Sequence, residues 1–118
     1  MKTAQVLSAL SALAHEHRLA IYRLLLEHGP EGLTPGTISE RLKLPAPTLS
    51  FHLKELSVAG LVSSRQAGRY IWYRADFDAM ARLIGYMTEN CCRSSAACDA
   101  ACAPAVTATP TVRKRSAS

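Results

Sequence analysis

Four cysteines lie close together near the C-terminal end of the sequence, at Cys91, Cys92, Cys98 and Cys102, and the rest of the chain contains none. Thiolate sulfur selects soft, thiophilic ions. The adjacent Cys91 and Cys92 can hold one side of a small ion, and Cys98 can reach back across the link "RSSAA" to supply a third sulfur. Because trivalent arsenic and antimony favour three sulfurs in a pyramid, this spacing predicts a site for As(III) or Sb(III).

Cys102 leaves a second arrangement open, because a fourth sulfur would complete a tetrahedral site for Zn(II) or Cd(II). Zinc sites usually combine two pairs of cysteines, each separated by two to four residues. The spacing from Cys98 to Cys102 fits one such pair, whereas Cys91 and Cys92 are adjacent and do not make the other. The pattern therefore favours the three-sulfur site, with Cys102 as the spare thiol.

The N-terminal residues "MKTAQVLSALSALAHEH" have the outline of a signal peptide, but two features oppose this interpretation. Ser8 and Ser11 dilute the apolar run, and Val6 and Leu10 recur at the spacing of an amphipathic helix. No stretch approaches the roughly 20 apolar residues of a membrane span. We therefore expect a cytoplasmic protein without a membrane segment, in which the clustered cysteines are reduced thiols.

Basic residues are concentrated in the middle of the chain, whose overall formal net charge is +5. Residues 43–74 hold five Lys or Arg residues against the single acidic Glu55, and Arg113, Lys114 and Arg115 add positive charge near the C-terminus. Such an excess indicates an anionic partner, either nucleic acid or a membrane surface, although it also serves solubility.

The hydrophobic pattern predicts a small, mainly α-helical domain with one β-hairpin over residues 1–92. Helices are expected at residues 3–14, 15–28, 35–42, 46–59 and 77–92, and strands at 61–65 and 70–74. Thr34 and Asp76 are predicted to cap helices, and Gly60 to stop one. Residues 93–102 form a cysteine-bearing segment, and residues 103–118, rich in Ala, Pro, Thr and Ser, are predicted to be a disordered basic tail.

Two helices joined by a short turn and followed by a hairpin make a winged helix-turn-helix, which reads duplex DNA. The second of these helices buries Leu49, Leu53 and Leu56, and its other face can enter a major groove. The polar residues predicted on that face are Thr48, Ser50, His52 and Lys54. The hairpin tip is predicted to offer phosphate or minor-groove contacts from Arg65, Gln66, Arg69 and Tyr70. The chain has no nucleophile–base pair, phosphate loop or catalytic metal motif, so we do not expect an enzyme.

The stretch "LTPGTISERLKLPAPTLSFHLKELSVAGLVSSRQAGRYIWYRA", preceded by "ALAHEHRLAIYRLLLEHG", resembles the ArsR/SmtB family of bacterial metal-sensing repressors over roughly residues 5–92. The resemblance implies a homodimer paired through the first and last helices, which binds double-stranded operator DNA when empty and releases it on binding an inducer. Thr48, Ser50 and His52 match the family's recognition-helix positions, and Gly68 and Arg69 match its wing. Pro47 stands where the family often has Gln or Ser, so no base contact is assigned to it.

The resemblance also implies where an inducer can bind. The stretch "TPGTISERLKL", where some members carry a cysteine pair, has no cysteine, and "DFDAMARLIGYMTEN", where others bind zinc, has no histidine. The cysteine cluster after the last helix remains. Phe77, Met80, Ile84, Met87 and Cys91 recur at helical spacing, which predicts that Cys91 extends the face paired with the second subunit.

We therefore predict an arsenite-responsive homodimeric repressor, and two alternatives stay open. One is a repressor of the same fold that senses cadmium or zinc, or that senses thiol oxidation through a disulfide or persulfide of Cys91 or Cys92 with Cys98 or Cys102. The other belongs to a different class, a metal-sequestering protein whose basic face is incidental. Operator DNA titration with different ions separates these alternatives.

Overall fold

The structure is a computed structural model that describes residues 1–91. The elements are α1 (Thr3–Leu13), α2 (Glu16–His28), α3 (Pro35–Leu42), α4 (Ala46–Val58), β1 (Val62–Ala67), β2 (Tyr70–Ala75) and α5 (Phe77–Thr88). Within the described residues, five helices and a two-stranded hairpin confirm the predicted winged helix-turn-helix. The predicted segments 93–102 and 103–118 lie outside the described residues.

Side-chain caps fix where the helices begin, as the sequence predicts for α3 and α5. The Thr34 hydroxyl accepts a hydrogen bond from the Thr37 N–H at 3.4 Å, and the Asp76 carboxylate accepts one from the Ala79 N–H at 3.0 Å. Each cap satisfies a backbone donor that has no partner within the first turn of its helix. Lys43 then adopts a left-handed backbone (φ 56°) that ends α3 and turns the chain into α4.

The hydrophobic core lies between the helices and the base of the hairpin. Fully buried side chains come from α2, α3, α4 and the residue just before β1: Ile21, Tyr22, Leu25, Ile38, Leu49, Leu53, Leu56 and Leu61. Each of the large aliphatic ones stabilises the fold by about 1.5–3 kcal/mol. The buried face of α2 is centred on Ile21, Tyr22 and Leu25, and Leu19 lies to its side, exposed to solvent.

The wing is an antiparallel hairpin with a two-residue turn. Ala67 pairs with Tyr70, so Gly68 and Arg69 form the turn, and Gly68 has a φ of +65° whereas Arg69 does not have a positive φ. A glycine with positive φ at the first turn position is the pattern of a type II′ hairpin, whose twist matches that of the strands. The two-residue turn therefore connects β1 to β2 with their residues paired in register up to the end of each strand.

The loop between α2 and α3 holds the base of the wing. Leu33 and Tyr73 exchange two backbone hydrogen bonds of 2.8 Å, which form an isolated antiparallel β-bridge on the other side of β2 from β1. Gly32 precedes this bridge with a φ of +85°, and a Cβ atom at Gly32 would lie 2.6 Å from the Tyr73 carbonyl oxygen. Glycine is therefore required here, both by its backbone conformation and by the close approach of β2.

The chain divides into two compact units, one of residues Met1–Tyr86 and one that begins at Met87. Helix α5 ends at Thr88, Asn90 has a left-handed backbone (φ 60°), and the Cys91 N–H donates to the Thr88 carbonyl. The prediction of a helix through Cys92 is therefore wrong. Asn90 breaks the helix because its backbone adopts the left-handed conformation, which Asn tolerates better than most residues. Cys91 does not continue the helical stripe of α5. Among residues 1–91, no helix is both long and apolar enough to span a membrane.

Candidate nucleic-acid interface

One face of α4 is exposed along the whole helix. Its leucines Leu49, Leu53 and Leu56 are buried against the rest of the domain. The exposed positions follow one another at three- and four-residue spacing, and they are Ala46, Pro47, Ser50, Phe51, Lys54, Ser57 and Val58. We call this set the reading face. It is one continuous helical stripe next to the wing, as a helix needs in order to enter a major groove.

The structure places the four predicted base-contacting residues in three environments. Ser50 and Lys54 lie on the reading face, and Thr48 is half-buried. His52 is only 5% exposed, so the prediction that it lies on the solvent face is wrong. It follows Leu49 by three residues and precedes Leu56 by four, which places it on the buried side of a helix with 3.6 residues per turn.

Phe51 is a member of the reading face that the sequence analysis missed. Its side chain is 54% exposed, and the Arg18 guanidinium lies 5.6 Å from the centre of its ring. The signal was present in the sequence, because the buried leucines fix the phase of the helix and put Phe51 between Pro47 and Lys54. An exposed aromatic residue at the centre of a polar helical face can contact apolar atoms of a partner.

His52 connects the reading helix to the N-terminal end of α2. The Arg18 Nε–H donates a hydrogen bond of 3.2 Å to His52 Nδ1, and the rings of His15 and His17 lie 4.6 and 5.7 Å from the His52 ring. Burial lowers the pKa of His52, and the positive charges of His15, Arg18 and His17 lower it further. Nδ1 of the neutral ring can accept a hydrogen bond from Arg18, so this contact is made only by unprotonated His52.

The wing presents its exposed polar groups at the tip. Gln66, Arg69 and Tyr70 are exposed there, beside the turn. Arg65 was predicted at the tip and lies instead inside β1, paired with Trp72. Its guanidinium donates to the Glu31 carbonyl at 3.4 Å and lies 6.0 Å from the centre of the Trp72 ring. Arg65 lies within β1 because the turn contains only two residues and the paired strands extend to Ala67 and Tyr70.

The predicted metal site falls almost wholly outside the described residues. Cys91 is exposed, and Cys92, Cys98 and Cys102 lie outside the described part of the chain. Within residues 1–91, no group of three or more His, Cys, Asp and Glu side chains is arranged to hold a metal ion.

Comparisons with known proteins agree with this geometry. A family model described as a helix-turn-helix domain matches residues 13–65. The transcriptional activator HlyU of Vibrio cholerae is 30% identical over 93 residues, which cover 79% of this chain and 83% of HlyU. The nodulation protein NolR of Rhizobium meliloti is 31% identical over 80 residues, which cover 68% of this chain but only 63% of the length of NolR.

Solved structures with the same fold cover most of the chain. An ArsR-like transcriptional regulator from Rhodococcus sp. RHA1 matches with a TM-score of 0.64 and 27% identity, over 88% of this chain and 93% of that one. The homodimeric winged helix-turn-helix domain of Mb0332 from Mycobacterium bovis, a possible ArsR-family regulator, matches with a TM-score of 0.60 and 28% identity, over 71% and 76%. A possible transcriptional regulator for arsenical resistance matches with a TM-score of 0.60 and 29% identity, over 68% and 80%.

The chain belongs to the ArsR family. It is a DNA-binding transcriptional regulator of the winged helix-turn-helix type and not an enzyme. In this ArsR-family chain, α3 and α4 are the helix-turn-helix, and β1 with β2 is the wing. The contacts that individual side chains make with DNA, and the ligands of the cysteines, stay predictions.

Proposed function

We propose that this ArsR-family protein is a homodimeric repressor that binds double-stranded operator DNA and releases it when trivalent arsenic binds its C-terminal cysteines. The observation that carries the DNA-binding part is the reading face of α4, an uninterrupted exposed stripe with Ser50 and Lys54 at its centre. Arg69 and Gln66 at the tip of the wing supply phosphate or minor-groove contacts beside it. The basic middle of the chain favours the phosphate backbone.

The homodimer uses an apolar face on α1 and α5. Leu7 and Leu10 on α1, and Phe77 and Ile84 on α5, are large apolar side chains exposed to solvent in the single chain. A hydrogen bond of 2.9 Å between the hydroxyls of Thr3 and Tyr86 joins the start of α1 to α5. A cluster of exposed apolar residues indicates a protein interface. The homodimeric structure of Mb0332 supports this proposal.

A two-fold dimer presents two copies of α4 to the same side of a DNA duplex. Each copy reads one half-site, and the two half-sites are separated by about one helical turn, roughly 34 Å. Thr48, Ser50 and Lys54 set the preference for a base sequence, since they lie on or beside the reading face. The wing residues Arg69 and Tyr70 set the general affinity for DNA.

The inducer site is formed by the thiols that follow α5. Cys91 is exposed three residues after the end of α5, and the adjacent Cys92 gives it a partner for gripping one side of a small ion. As(III) or Sb(III) takes Cys98 as its third sulfur, whereas Cd(II) or Zn(II) would add Cys102. The relative described as a possible regulator for arsenical resistance supports arsenic. We propose the cytoplasm as the location, where the thiols stay reduced.

The experiment that tests this proposal is a titration of a fluorescent operator duplex, found by selection from a random DNA library, with the reduced protein. Arsenite, antimonite, cadmium, zinc and peroxide are then added in turn to the preformed complex. Release by arsenite and antimonite at the lowest concentrations supports the proposal. Release by peroxide alone identifies a thiol sensor, and binding of metal without any release identifies a sequestering protein.

A further inference from the structure

We propose that Phe51 reads thymine, by placing its ring against the 5-methyl group of that base in the major groove of the operator. This inference rests on the proposed function, because it assumes that the reading face of α4 enters the groove. It adds a specificity-determining residue of a chemical kind that the polar residues of the helix do not supply.

The position of Phe51 supports a contact with bases. Its side chain is more than half exposed at the centre of the reading face, three residues before Lys54 and next to Ser50. The other large apolar residue on this face, Val58, is the last residue of α4. Because recognition helices contact base edges chiefly with their N-terminal residues, Phe51 is the apolar side chain placed to reach them.

The chemistry of the ring then selects the base. A phenyl ring has no hydrogen-bond donor or acceptor, so it cannot distinguish the polar atoms that line the groove. The 5-methyl group of thymine is the apolar feature on the major-groove edges of the four bases, and phenylalanine is among the side chains that can pack on it. A ring at the centre of the reading face is therefore expected to favour thymine opposite it.

A second contact restrains the ring before DNA binds. The Arg18 guanidinium of α2 lies 5.6 Å from the centre of the Phe51 ring, at a distance typical of a cation–π contact. Arg18 is itself held by its hydrogen bond to the buried His52. The contact with Arg18 thus restrains the Phe51 ring before DNA binds. Because the ring is already restrained, less conformational entropy is lost when it packs on a base.

The test uses deoxyuridine, which differs from thymidine only by lacking the 5-methyl group. A binding site for the wild-type protein is selected from a random duplex library, and each thymine is replaced by deoxyuridine, one at a time. The affinities of the wild type, Phe51→Ala and the control Leu19→Ala, which truncates an exposed leucine of α2 outside the reading face, are measured by fluorescence anisotropy on every duplex. Thermal melting of each variant confirms that it is folded.

We expect one thymine in each half-site whose replacement weakens wild-type binding by about fourfold, the effect of losing one buried methyl group. Phe51→Ala should bind the thymine and deoxyuridine duplexes equally, whereas Leu19→Ala should keep the wild-type difference. A wild type that binds every deoxyuridine duplex as tightly as the original, yet still prefers its site to random DNA, overturns the inference and leaves the proposed function standing.

Two further outcomes also overturn the inference. In one, Phe51→Ala keeps the full sensitivity to deoxyuridine, so another residue contacts the methyl group. In the other, Phe51→Ala changes the monomer–dimer equilibrium without DNA, so the ring belongs to a protein interface. If no binding site can be selected at all, the proposed function fails together with the inference.

Discussion

Replacing Ile84 with alanine should weaken the homodimer while leaving the monomer folded. Ile84 is 51% exposed on α5, within the apolar face proposed to pair two subunits. Complete burial of such a side chain contributes about 1.5–3 kcal/mol, so covering its exposed half contributes roughly 1 kcal/mol. In a two-fold interface the same residue is lost from both subunits, which gives roughly 2 kcal/mol. The dimer dissociation constant should therefore rise by about 30-fold.

The matched control is Ile71→Ala on the wing, where the isoleucine is 44% exposed but lies outside α1 and α5. Sedimentation equilibrium at several protein concentrations gives the dissociation constant of each variant, and circular dichroism melting checks the fold. Ile84→Ala should shift the equilibrium toward monomer, and Ile71→Ala should not. An unchanged dissociation constant for Ile84→Ala, or an equal change for both variants, would refute the assignment of the interface to α5.

Three other predictions follow from the same geometry. Gly32→Ala should lower the free energy of unfolding by more than about 1 kcal/mol, because the φ of Gly32 is +85° and an added Cβ would lie 2.6 Å from a backbone oxygen of β2. The control Gly36→Ala has open space around the added Cβ and should raise the free energy of unfolding by up to about 1 kcal/mol. Urea unfolding of both variants measures the two changes. Because the pKa of His52 lies below its ordinary value of 6.5, the unfolded chain takes up the proton first. The contribution of His52 to stability should therefore be fully present above about pH 6.5 and be lost as the pH falls below that value. In thermal melts at several pH values, the melting temperature of His52→Gln should fall less on acidification than that of the wild type. Identical pH profiles for the two proteins would contradict this prediction. Ser50→Ala should reduce the difference in binding free energy between operator and random DNA by about 1–3 kcal/mol. Arg69→Ala should weaken binding to operator and to random DNA alike, and should reduce the slope of log affinity against log salt by about one. If Arg69→Ala instead loses specificity without a change of slope, the wing reads bases.

The sequence predicted those parts of the fold in which local signals and the hydrophobic pattern agree. Thr34 and Asp76 begin their helices as caps, and Gly68 lies in the turn of the wing because few other residues adopt its backbone conformation. The end of α5 was harder to predict, since the residues up to Cys91 continue the helical pattern. It depends on one left-handed residue, Asn90, which carries a weaker signal than glycine.

The candidate site was predicted in its position but not in its details. The prediction placed His52 on the solvent face of α4 with Thr48 and Ser50, although a helix repeats every 3.6 residues and the buried leucines already fixed its phase. The same phase exposes Phe51, which the prediction did not include. The contact of Arg18 with His52 joins residues 34 positions apart, and no local pattern in a single sequence predicts such a contact.

The measurement that tests the central claim most directly is arsenite-driven release of operator DNA by the wild type, Cys91→Ser and Cys92→Ser. Both substitutions lie outside α4 and the wing, so each variant should bind the operator as tightly as the wild type does. Arsenite should release the wild type and leave both variants bound to the operator. Release of either variant at the wild-type arsenite concentration would contradict the account, because the adjacent thiols would then not be the inducer site.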